Sequence, residues 1–551
     1  VQFGDGAFES LDPELATRFY AGLIGKTVNA ARASIVQMLR DPAGSATGDG
    51  APLKAEPKPT DQMVKFYEKG DAPVEFITTR QWFVRLLDKK AELLEKGNSI
   101  RWHPDFMRLR FANWTENLGL DWCISRQRYF GVPFPVWYPV DSEGRTQFEK
   151  PILAQRNALP VDPLDAVPPG FSPSDRDRPG GFRAEPDVFD TWFTSSLTPQ
   201  IGSGWLLDPA RHARLFPADI RPQSHEIIRT WAFYTIAKAM LHEDRVPWHN
   251  VVISGWVLDP DRKKMSKSKG NVVTPMHLLD EFSADAVRYW AASARLGTDT
   301  AFDPKVLQVG RRLVTKIYNA SKFVLQQQGP VLPVSAELDR AFLAELGVLV
   351  REASDAFSTF EFARALAATE QFFWSRFTDS FLELSKSRCR GGDGVSAEGR
   401  GSAVSALRLG LNVLLRLFAP VLPYITEEVW SWVFAQESGH SSIHRAPWPS
   451  PDELASIGSP SHADSFELAV TAFEAINKAK SEAGVSTGRP LDRVVLRAHP
   501  ESERKLKPVL TDVQGAARSR ELLLLPDASM QMGQFTVAEA VVSESGQSQQ
   551  S

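Results

Sequence analysis

The chain has 551 residues, enough for three or four domains with sizeable cores. Its hydrophobic share of 43% and charged share of 24% are those of an ordinary soluble globular protein. The formal net charge of -4 gives no overall basic character, so any contact with nucleic acid must come from local patches. The two cysteines, Cys123 and Cys389, form no CxxC pair. We therefore expect a cytoplasmic protein with no metal held by protein ligands alone.

The longest apolar run and the first residues bear on membranes and targeting. The run at 413–425 is interrupted by Arg416, Pro420 and Pro423 and is too short to cross a bilayer, so we expect no membrane span. The chain opens with Val1 rather than Met and shows no signal-like leader. We therefore expect a piece of a longer protein.

The first 80 residues predict a small mixed module. Apolar residues recur at helical spacing over 11–39, which predicts two short amphipathic helices. After a loop at 41–60, residues 64–68 and 74–79 alternate or cluster apolar side chains as strands do. The module is expected to end near Arg80.

The next segment predicts a helix, an aromatic-rich stretch and an insertion. Residues 81–97 predict a helix ended by Gly97. Over 101–118, basic and aromatic side chains interleave; such aromatics are more often core than nucleic-acid contacts, and we favour core. Residues 140–186 are rich in Pro, Asp and Gly and predict a connective insertion.

A phosphate-binding arrangement follows. Residues 221–241 begin with polar side chains, including Gln223 and His225, and continue as an apolar helix. Residues 251–257 predict a buried parallel strand that leads into a lysine-rich loop at 261–271. This order indicates the second half of a doubly wound α/β domain, with ligands beyond the carboxyl ends of the strands.

The loop at 261–271, hereafter the lysine loop, is suited to binding phosphate. Four of its seven residues from Lys263 to Lys269 are lysines, and Gly270 follows. Lysine supplies point charge, serine supplies short donors, and glycine lets the backbone approach a ligand and turn sharply. A short lysine cluster alone is more often a solvated turn. The order Lys-Met-Ser-Lys-Ser over 264–268 favours polyanion binding instead.

The rest of the chain is mainly helical. Residues 283–294 predict a short helix beside the lysine loop, and helices continue from Pro304 to about Lys480, broken at 390–402 and 437–462. Strands are predicted near 493–496, 522–525 and 535–542, around a helix near 502–513. The predicted fold class is α/β: the second half of a Rossmann-like domain, then a helical bundle, then a small α/β tail.

Several motifs, in order along most of the chain, resemble those of class I aminoacyl-tRNA synthetases, and of their valyl branch in particular. Residues 264–268 are the KMSKS signature of this class. The other matching segments are Thr79–Phe83, Trp122–Gln127, Gly131 with Pro133 and Pro135, Asp190–Phe193, Asp285–Arg288 and Ala446–Pro449. The resemblance implies four domains: the end of an inserted editing domain (1–80), the second half of a catalytic domain with a connective insertion at about 140–186 (81–303), an anticodon-binding bundle (304–480) and a tail (481–551).

The resemblance also implies chemistry. It implies ATP-driven formation of valyl-adenylate and then transfer of valine to the 3′ end of tRNA(Val), with Mg²⁺ carried in by ATP. Lys264 and Lys267 would stabilise the charge that grows on the pyrophosphate leaving group, with Ser266 and Ser268 assisting. Lys267 would also contact ATP.

Two further sets of residues follow from the resemblance. Trp192, Ile227 and Trp231 would help to line a small apolar valine pocket, although burial in an ordinary core is nearly as common for such side chains. Gln223 and His225 would bind ATP where a strand end meets the nucleotide, although a lone histidine is as often structural.

The sequence departs from the family pattern at one of the two class signatures. Class I enzymes carry a second signature, HIGH, and none of the ten histidines in this sequence belongs to such a motif. We therefore expect that this chain alone does not make adenylate, and the editing site is not assigned. An isoleucyl-tRNA synthetase, which shares the Cys123–Gln127 region, and a non-catalytic tRNA-binding paralogue are the alternatives. The expected partners are tRNA(Val), valine and ATP. We expect a monomer that does not associate with a membrane.

Overall fold

The computed structural model describes most of the chain in two compact units. The described residues are 19–44, 50–60, 63–66, 73–74, 79–265, 270–327, 329–391 and 394–543. The first unit is Val1–Val84 with Trp122–Phe189, and the second is Arg85–Asp121 with Asp190–Ser551. The domain boundaries expected from the sequence stay predictions.

The first unit begins with helical structure. Its main helix is Val28–Arg40, where the Thr27 hydroxyl accepts a hydrogen bond from the Ala30 N–H at 3.4 Å and caps the first turn. Short 3₁₀ turns lie at Ala21–Leu23 and Pro42–Gly44. The start of the first predicted helix, residues 11–18, lies outside the described residues.

Of the two strands predicted near the end of this module, only parts are described. Phe66 and Pro73 form an isolated antiparallel bridge, which agrees with a hairpin. Residues 67–72 and 75–78 lie outside the described residues.

The rest of the first unit consists of short antiparallel strands. Val136–Pro139 pairs with Ile152–Leu153 on one side and with Phe182–Ala184 on the other. The remaining pairs are Phe83–Val84 with Trp122–Cys123, and Ser125–Arg126 with Val188–Phe189. The predicted insertion at 140–186 therefore supplies two strands of a three-stranded sheet, with Trp137 and Phe182 buried between them and the following loops.

A buried carboxylate explains why the chain at 81–84 is extended. Glu185 accepts hydrogen bonds from the Trp82 indole at 2.9 Å and the Tyr138 hydroxyl at 2.6 Å. The Trp82 backbone N–H donates to the Ser125 hydroxyl at 2.8 Å. These partners hold the segment as a strand, so the predicted helix over 81–97 is wrong in its first part.

The later part of the predicted helix is present in the second unit as helix Lys90–Ser99. The helix continues past Gly97, so the prediction that Gly97 ends it is wrong. A side chain at Gly97 would lie 2.1 Å from the Phe111 ring, so glycine is needed here for close packing against helix Arg108–Glu116. Of the aromatics in this stretch, Trp102 and Phe111 are buried, as favoured, whereas Phe106 is exposed.

A three-stranded parallel sheet organises the amino-terminal part of the second unit. Trp248–Ser254 lies in the centre, flanked by Arg101–His103 and Ala218–Ser224, all parallel. The central strand is buried along Val251–Ile253, as the apolar run predicted. Between strands Ala218–Ser224 and Trp248–Ser254, the chain forms a 3₁₀ turn at His225–Ile227, a π-helical turn at Ile228–Ala232 and helix Phe233–Glu243. Three shorter helices precede them, at Thr191–Ser195, Thr198–Ser203 and Pro209–Leu215.

Helices dominate from residue 276 onward. They lie at Met276–Phe282, Ala284–Ala292, Pro304–Leu325, Glu337–Ser358, Phe362–Gln371, Leu382–Arg390, Ala397–Phe418, Pro423–Trp432, Phe434–Ser438, Pro451–Ala455 and Ser465–Glu482, with π-helical Phe372–Phe381. The predicted loop at 390–402 is too long, because the Ser396 hydroxyl accepts from the Gly399 N–H at 3.0 Å and starts a helix at Ala397.

The tail forms the small α/β element that the sequence predicted. Strand Leu491–Ala498 lies between Ser519–Pro526, which is parallel to it, and Phe535–Val542, which is antiparallel. Helices Pro500–Leu506 and Leu510–Ala517 connect the first two strands. The buried core of the helices continues without a break into this tail.

Among the described residues, one helix, Ala397–Phe418, is long and apolar enough to cross a membrane by length and composition alone. In its most apolar stretch, 78% of the residues are buried inside the structure, as is usual for the central helix of a folded core.

Helix Ala284–Ala292 joins the sheet region to the helices. The Asp285 carboxylate accepts hydrogen bonds from the backbone N–H groups of Tyr424 at 3.2 Å and Ile425 at 2.8 Å, at the start of helix Pro423–Trp432. Arg288 donates to the carbonyls of Pro420 and Val421, beyond the end of helix Ala397–Phe418. The Asp285 carboxylate thus faces the positive end of helix Pro423–Trp432 and accepts from N–H groups that the helix leaves unpaired, whereas Arg288 pairs carbonyls of the link between the two helices.

A buried ionic cluster attaches the tail to the helices. Arg388 makes two hydrogen bonds to Asp339, at 2.6 and 2.9 Å, and one to Asp512 in the tail. The Ser402 hydroxyl donates to Asp339 at 2.6 Å. Both carboxylates are almost fully buried, and burial raises the pKa of Asp512 to about 6. The guanidinium lies between these two carboxylates and is the cation that offsets the cost of burying them side by side.

We expect Arg388→Met to lower the free energy of unfolding by about 3–5 kcal/mol, because it leaves Asp339 and Asp512 buried without a cation. Urea denaturation at neutral pH measures this. The matched control is Arg520→Met, which removes an exposed partner of Asp492 and should change stability little. Equal small losses in both variants would show that the cluster does not hold the tail.

Candidate functional site

The candidate site lies where the parallel strands end in the second unit. Strand Ala218–Ser224 ends at the His225 turn, and strand Trp248–Ser254 is followed by Gly255. A side chain at Gly255 would lie 2.1 Å from the Thr298 carbonyl oxygen. Glycine therefore admits the 298–299 backbone beside the central strand, where Asp299 accepts a hydrogen bond from the Trp256 N–H at 2.8 Å.

His225 is fixed by partners on both ring nitrogens. Its Nε2 lies 3.2 Å from Asp299 Oδ1, and its Nδ1 lies 3.4 Å from Arg110 Nη1. Because Arg110 can only donate, Nδ1 accepts and Nε2 carries the proton that is donated to Asp299. The Trp256 backbone and His225 together hold the pKa of Asp299 below its usual range. The ring is 8% exposed, so His225 is a buried, oriented side chain at the rim of the site.

Lys264 is the one predicted catalytic side chain whose position is described. Its Nζ donates to Glu226 Oε1 at 2.6 Å and lies 4.4 Å from the centre of the Trp256 ring. The Trp256 indole donates to the other oxygen of Glu226 at 2.9 Å. The hydrogen bond from Lys264 holds the pKa of Glu226 below its usual range. Lys264 and Glu226 are both about half exposed, so the ammonium can exchange this carboxylate for another anion.

The two ends of the lysine loop are tied together. Asp259 accepts from the Lys263 N–H and from the Asn271 side chain, both at 2.7 Å. Gly270 has φ +67°, so the sharp turn predicted there is confirmed. Ser266, Lys267 and Ser268 lie outside the described residues, and their proposed roles stay predictions.

Met265 attaches the loop to the helices behind it. Its partly buried side chain packs against an apolar cluster formed by Leu278, Phe282, Ala286, Phe302 and Leu307. Met265 is thus an apolar anchor between charged neighbours, and an unbranched thioether suits an irregular gap of this kind.

Gln223 is the second buried polar side chain of the predicted nucleotide site. It is 8% exposed, and among the described residues neither its amide nitrogen nor its amide oxygen has a hydrogen-bond partner. On the same strand, Arg221 stacks its guanidinium against Trp231 and lies near Trp248, and burial lowers its pKa to about 10. A buried amide without partners costs about 1–3 kcal/mol, so a ligand that pairs with Gln223 would recover that cost.

Two of the three predicted pocket residues, Trp192 and Trp231, lie on elements that contact each other. The Trp231 indole donates to the Ser195 carbonyl at 3.2 Å, which ties the π-helical turn to helix Thr191–Ser195, where Trp192 lies. Trp192, Ile227 and Trp231 are each partly buried rather than enclosed in the core. A shared pocket for the three stays a prediction.

Sequence reasoning missed three residues of this site. Trp256 appeared only as part of an apolar run, and Arg110 only as one of several basic residues among aromatics. Asp299 follows a glycine-containing turn about 30 residues after the lysine loop and has no local motif. Only the tertiary contacts of His225 and Glu226 identify them.

The site has the groups to bind an anion and to orient it. Lys264 supplies charge, while His225 and Gln223 supply oriented polar groups at the strand ends. The described residues contain no group of three or more His, Cys, Asp or Glu side chains placed to hold a metal ion. Asp259 is already engaged by Asn271 and the Lys263 N–H.

Comparisons with known proteins decide the family. The model of class I tRNA synthetases (I, L, M and V) matches residues 26–303, and that of the anticodon-binding domain of tRNA ligases matches 339–496. This chain belongs to the class I aminoacyl-tRNA synthetases. The doubly wound half-domain and the helical anticodon-binding region expected from the motifs are thereby confirmed.

Similar relatives are named valine–tRNA ligases. That of Salinispora tropica is 48% identical over 92% of this chain and 60% of its own length. That of Thermobifida fusca is 48% identical over 90% of this chain and 56% of its own length. The chain thus spans about 60% of the length of the relatives it matches. A methionyl-tRNA synthetase structure from Mycobacterium tuberculosis, covering 66% of this chain and 64% of its own, has a TM-score of 0.49 at 18% identity and adds nothing to this assignment.

We expect Glu226→Gln to strengthen binding of inorganic pyrophosphate by less than about tenfold, because a carboxylate that competes for Lys264 is removed while the amide oxygen can still accept from Trp256. Isothermal titration calorimetry measures the change. Lys264→Met serves as the opposite control and should weaken binding. Weaker binding in Glu226→Gln would mean that Glu226 orients Lys264 rather than competing for it.

Proposed function

We propose that this chain serves in a valine–tRNA ligase, which activates valine with ATP and transfers it to tRNA(Val). The observation that carries the proposal is the intact lysine loop, whose Lys264 stands beside the ends of the parallel strands in a chain 48% identical to valine–tRNA ligases. The expected partners are valine, ATP and tRNA(Val), and Mg²⁺ would accompany ATP rather than occupy a protein cage.

The residues of the site divide the work as follows. Lys264, with Lys267, Ser266 and Ser268, would stabilise negative charge as pyrophosphate leaves, which is a preorganised electrostatic contribution. Gln223 and His225 would contact the nucleotide from the strand ends. Trp192, Ile227 and Trp231 would close an apolar pocket around the branched side chain of valine. Such a pocket rejects threonine only weakly, and valyl-tRNA synthetase is itself the standard example of this limit.

Two alternative functions would give different results in the exchange assay described below. An isoleucyl-tRNA synthetase shares the region around Cys123–Gln127, and a pocket of this kind distinguishes one methylene by only about 10–200-fold. A tRNA-binding paralogue without catalysis would have no use for the Lys264 arrangement. The relatives named above favour valine.

Amino-acid-dependent ATP–pyrophosphate exchange tests the proposal. The protein tested is the one encoded by the complete reading frame that contains this chain. Its ATP–pyrophosphate exchange should be at least tenfold faster with valine than with isoleucine. The reverse order would identify an isoleucine enzyme, and no exchange with either would favour the paralogue. The 551-residue chain by itself is expected to show no exchange, so exchange by this chain would refute that expectation.

In the same assay, Lys264→Met should lower kcat about a hundredfold, because it removes a cation that acts on the developing charge. The KM for valine should change little, since the contacts of Lys264 are with Glu226 and Trp256 and not with the residues of the predicted apolar pocket. Lys478→Met, at an exposed helical position, is the matched control and should leave both constants unchanged. Equal kcat values for the two variants would show that Lys264 does not contribute to catalysis.

A further inference from the structure

Lys238, on helix Phe233–Glu243, is a buried lysine at 3% exposure. Its ammonium donates to the Phe193 carbonyl at 3.3 Å and lies 3.6 Å from the centre of the Phe193 ring. No carboxylate of the described residues forms an ion pair with it, and burial lowers the pKa of Lys238 to about 8. A carbonyl and an aromatic ring are thus the groups that offset the cost of burying this cation.

The carbonyl that Lys238 contacts belongs to a very short helix, Thr191–Ser195, of five residues. Helices shorter than about 12 residues are marginal in water, so this one depends on supports from outside. Trp231 supplies another support, because its indole donates to the Ser195 carbonyl at 3.2 Å. Lys238 and Trp231 therefore both hold the carboxyl-terminal part of the helix that bears Trp192.

Trp231 is itself fixed to the parallel sheet. The guanidinium of Arg221, on strand Ala218–Ser224, stacks against the Trp231 ring and lies near the buried Trp248 of the central strand. One predicted wall of the valine pocket, Trp231, is thus tied to the sheet. The other, Trp192, lies on a short helix whose position depends on Trp231 and Lys238. Of these two supports, Lys238 is the one that is not a predicted pocket residue.

Stability of the fold does not explain why a lysine lies here. An apolar side chain of similar length, such as methionine, would fill the space without the cost of desolvating a charge. Replacing buried charges by apolar residues of similar volume is often neutral or stabilising. The ammonium instead has a specific effect, which is to fix the Phe193 carbonyl. The position of the short helix and the stability of the fold can therefore be measured separately.

We propose that Lys238 is a positioning residue that sets the width of the amino-acid pocket, by holding helix Thr191–Ser195, and with it Trp192, against Trp231. Lys238 acts through the helix rather than through contact with the amino acid. Valine and isoleucine differ by one methylene, and a pocket rejects the larger side chain only while its walls do not give way. This inference rests on the proposed function, which supplies the valine pocket.

ATP–pyrophosphate exchange with valine and with isoleucine tests the proposal, in the protein encoded by the complete reading frame that contains this chain. Lys238→Met should raise the KM for valine and lower the valine-to-isoleucine ratio of kcat/KM by about threefold or more, out of a discrimination of about 10–200-fold for one methylene. The KM for ATP should not change, because the hydrogen bond and the ring contact of Lys238 are with Phe193. The melting temperature should stay the same or rise, since a buried charge is removed.

Hydrogen exchange of the same protein measures the position of the helix directly. Backbone amides over 190–198 should exchange faster in Lys238→Met than in the unmodified protein, because one support of the short helix is lost. A second variant, Lys238→Gln, keeps a donor for the Phe193 carbonyl without the charge. It should lie between the other two proteins in exchange rate and in the valine-to-isoleucine ratio.

The matched control is Lys480→Met. Lys480 is also a buried lysine, and it donates to the backbone carbonyls of Thr487, Arg489 and Ala517, each at 2.8 Å. These carbonyls lie around the tail and not in helix Thr191–Ser195. Lys480→Met should therefore leave the valine-to-isoleucine ratio and the exchange over 190–198 unchanged, whatever its effect on stability.

The possible results separate this inference from the proposed function. If the unmodified protein prefers valine and both Lys238 variants keep its ratio and its exchange over 190–198, Lys238 merely fills the core and the inference is wrong, while the proposed function stands. If the unmodified protein shows no exchange of pyrophosphate with valine, the proposed function fails. The hydrogen exchange over 190–198 then still shows whether Lys238 holds the helix.

Discussion

Two charges on one short helix hold the junction between two other helices. Asp285 accepts from N–H groups in the first turn of helix Pro423–Trp432, and Arg288 donates to carbonyls of the link that follows helix Ala397–Phe418. The first N–H groups of a helix have no partner within the helix, so a buried helix start needs acceptors from outside. The motif Asp285–Arg288, which the sequence offered only as a family likeness, thus has a structural reason: it fixes the anticodon-binding region to the sheet region of the same unit.

That constraint reaches the lysine loop through an apolar cluster. Ala286, on the helix that bears Asp285, packs with Leu278 and Phe282 of the preceding helix, and Met265 rests on the same cluster. The charged loop is therefore held at one apolar point and at its tied ends, Asp259 and Asn271. Between these supports, Lys264 stays half exposed and available to an anion. A loop proposed to bind phosphate needs a fixed base and an accessible charge, and Met265 and Lys264 supply them at adjacent positions.

Periodicity and local motifs predicted much of this fold. The central strand at Val251–Ile253, the tail strands and the turn at Gly270 follow from apolar runs and a single glycine, which are local signals. The strand at Phe83–Val84 was missed because Glu185, a hundred residues later, decides its conformation. The site shows the same limit: Lys264 comes from a motif, whereas its partners Glu226 and Trp256 become neighbours only when the parallel strands align.

Packing links the lysine loop to the helices that follow it. Leu307, on helix Pro304–Leu325, and Met265, in the loop, pack on the same apolar cluster. Five of the 22 residues of that helix are basic and none is acidic, so the net charge of -4 for the whole chain hides a local excess of positive charge. A close-packed cluster transmits position rather than charge. Packing therefore sets the position of the loop relative to this helix, since mobile ions screen direct electrostatic interactions between exposed charges beyond about 8–10 Å.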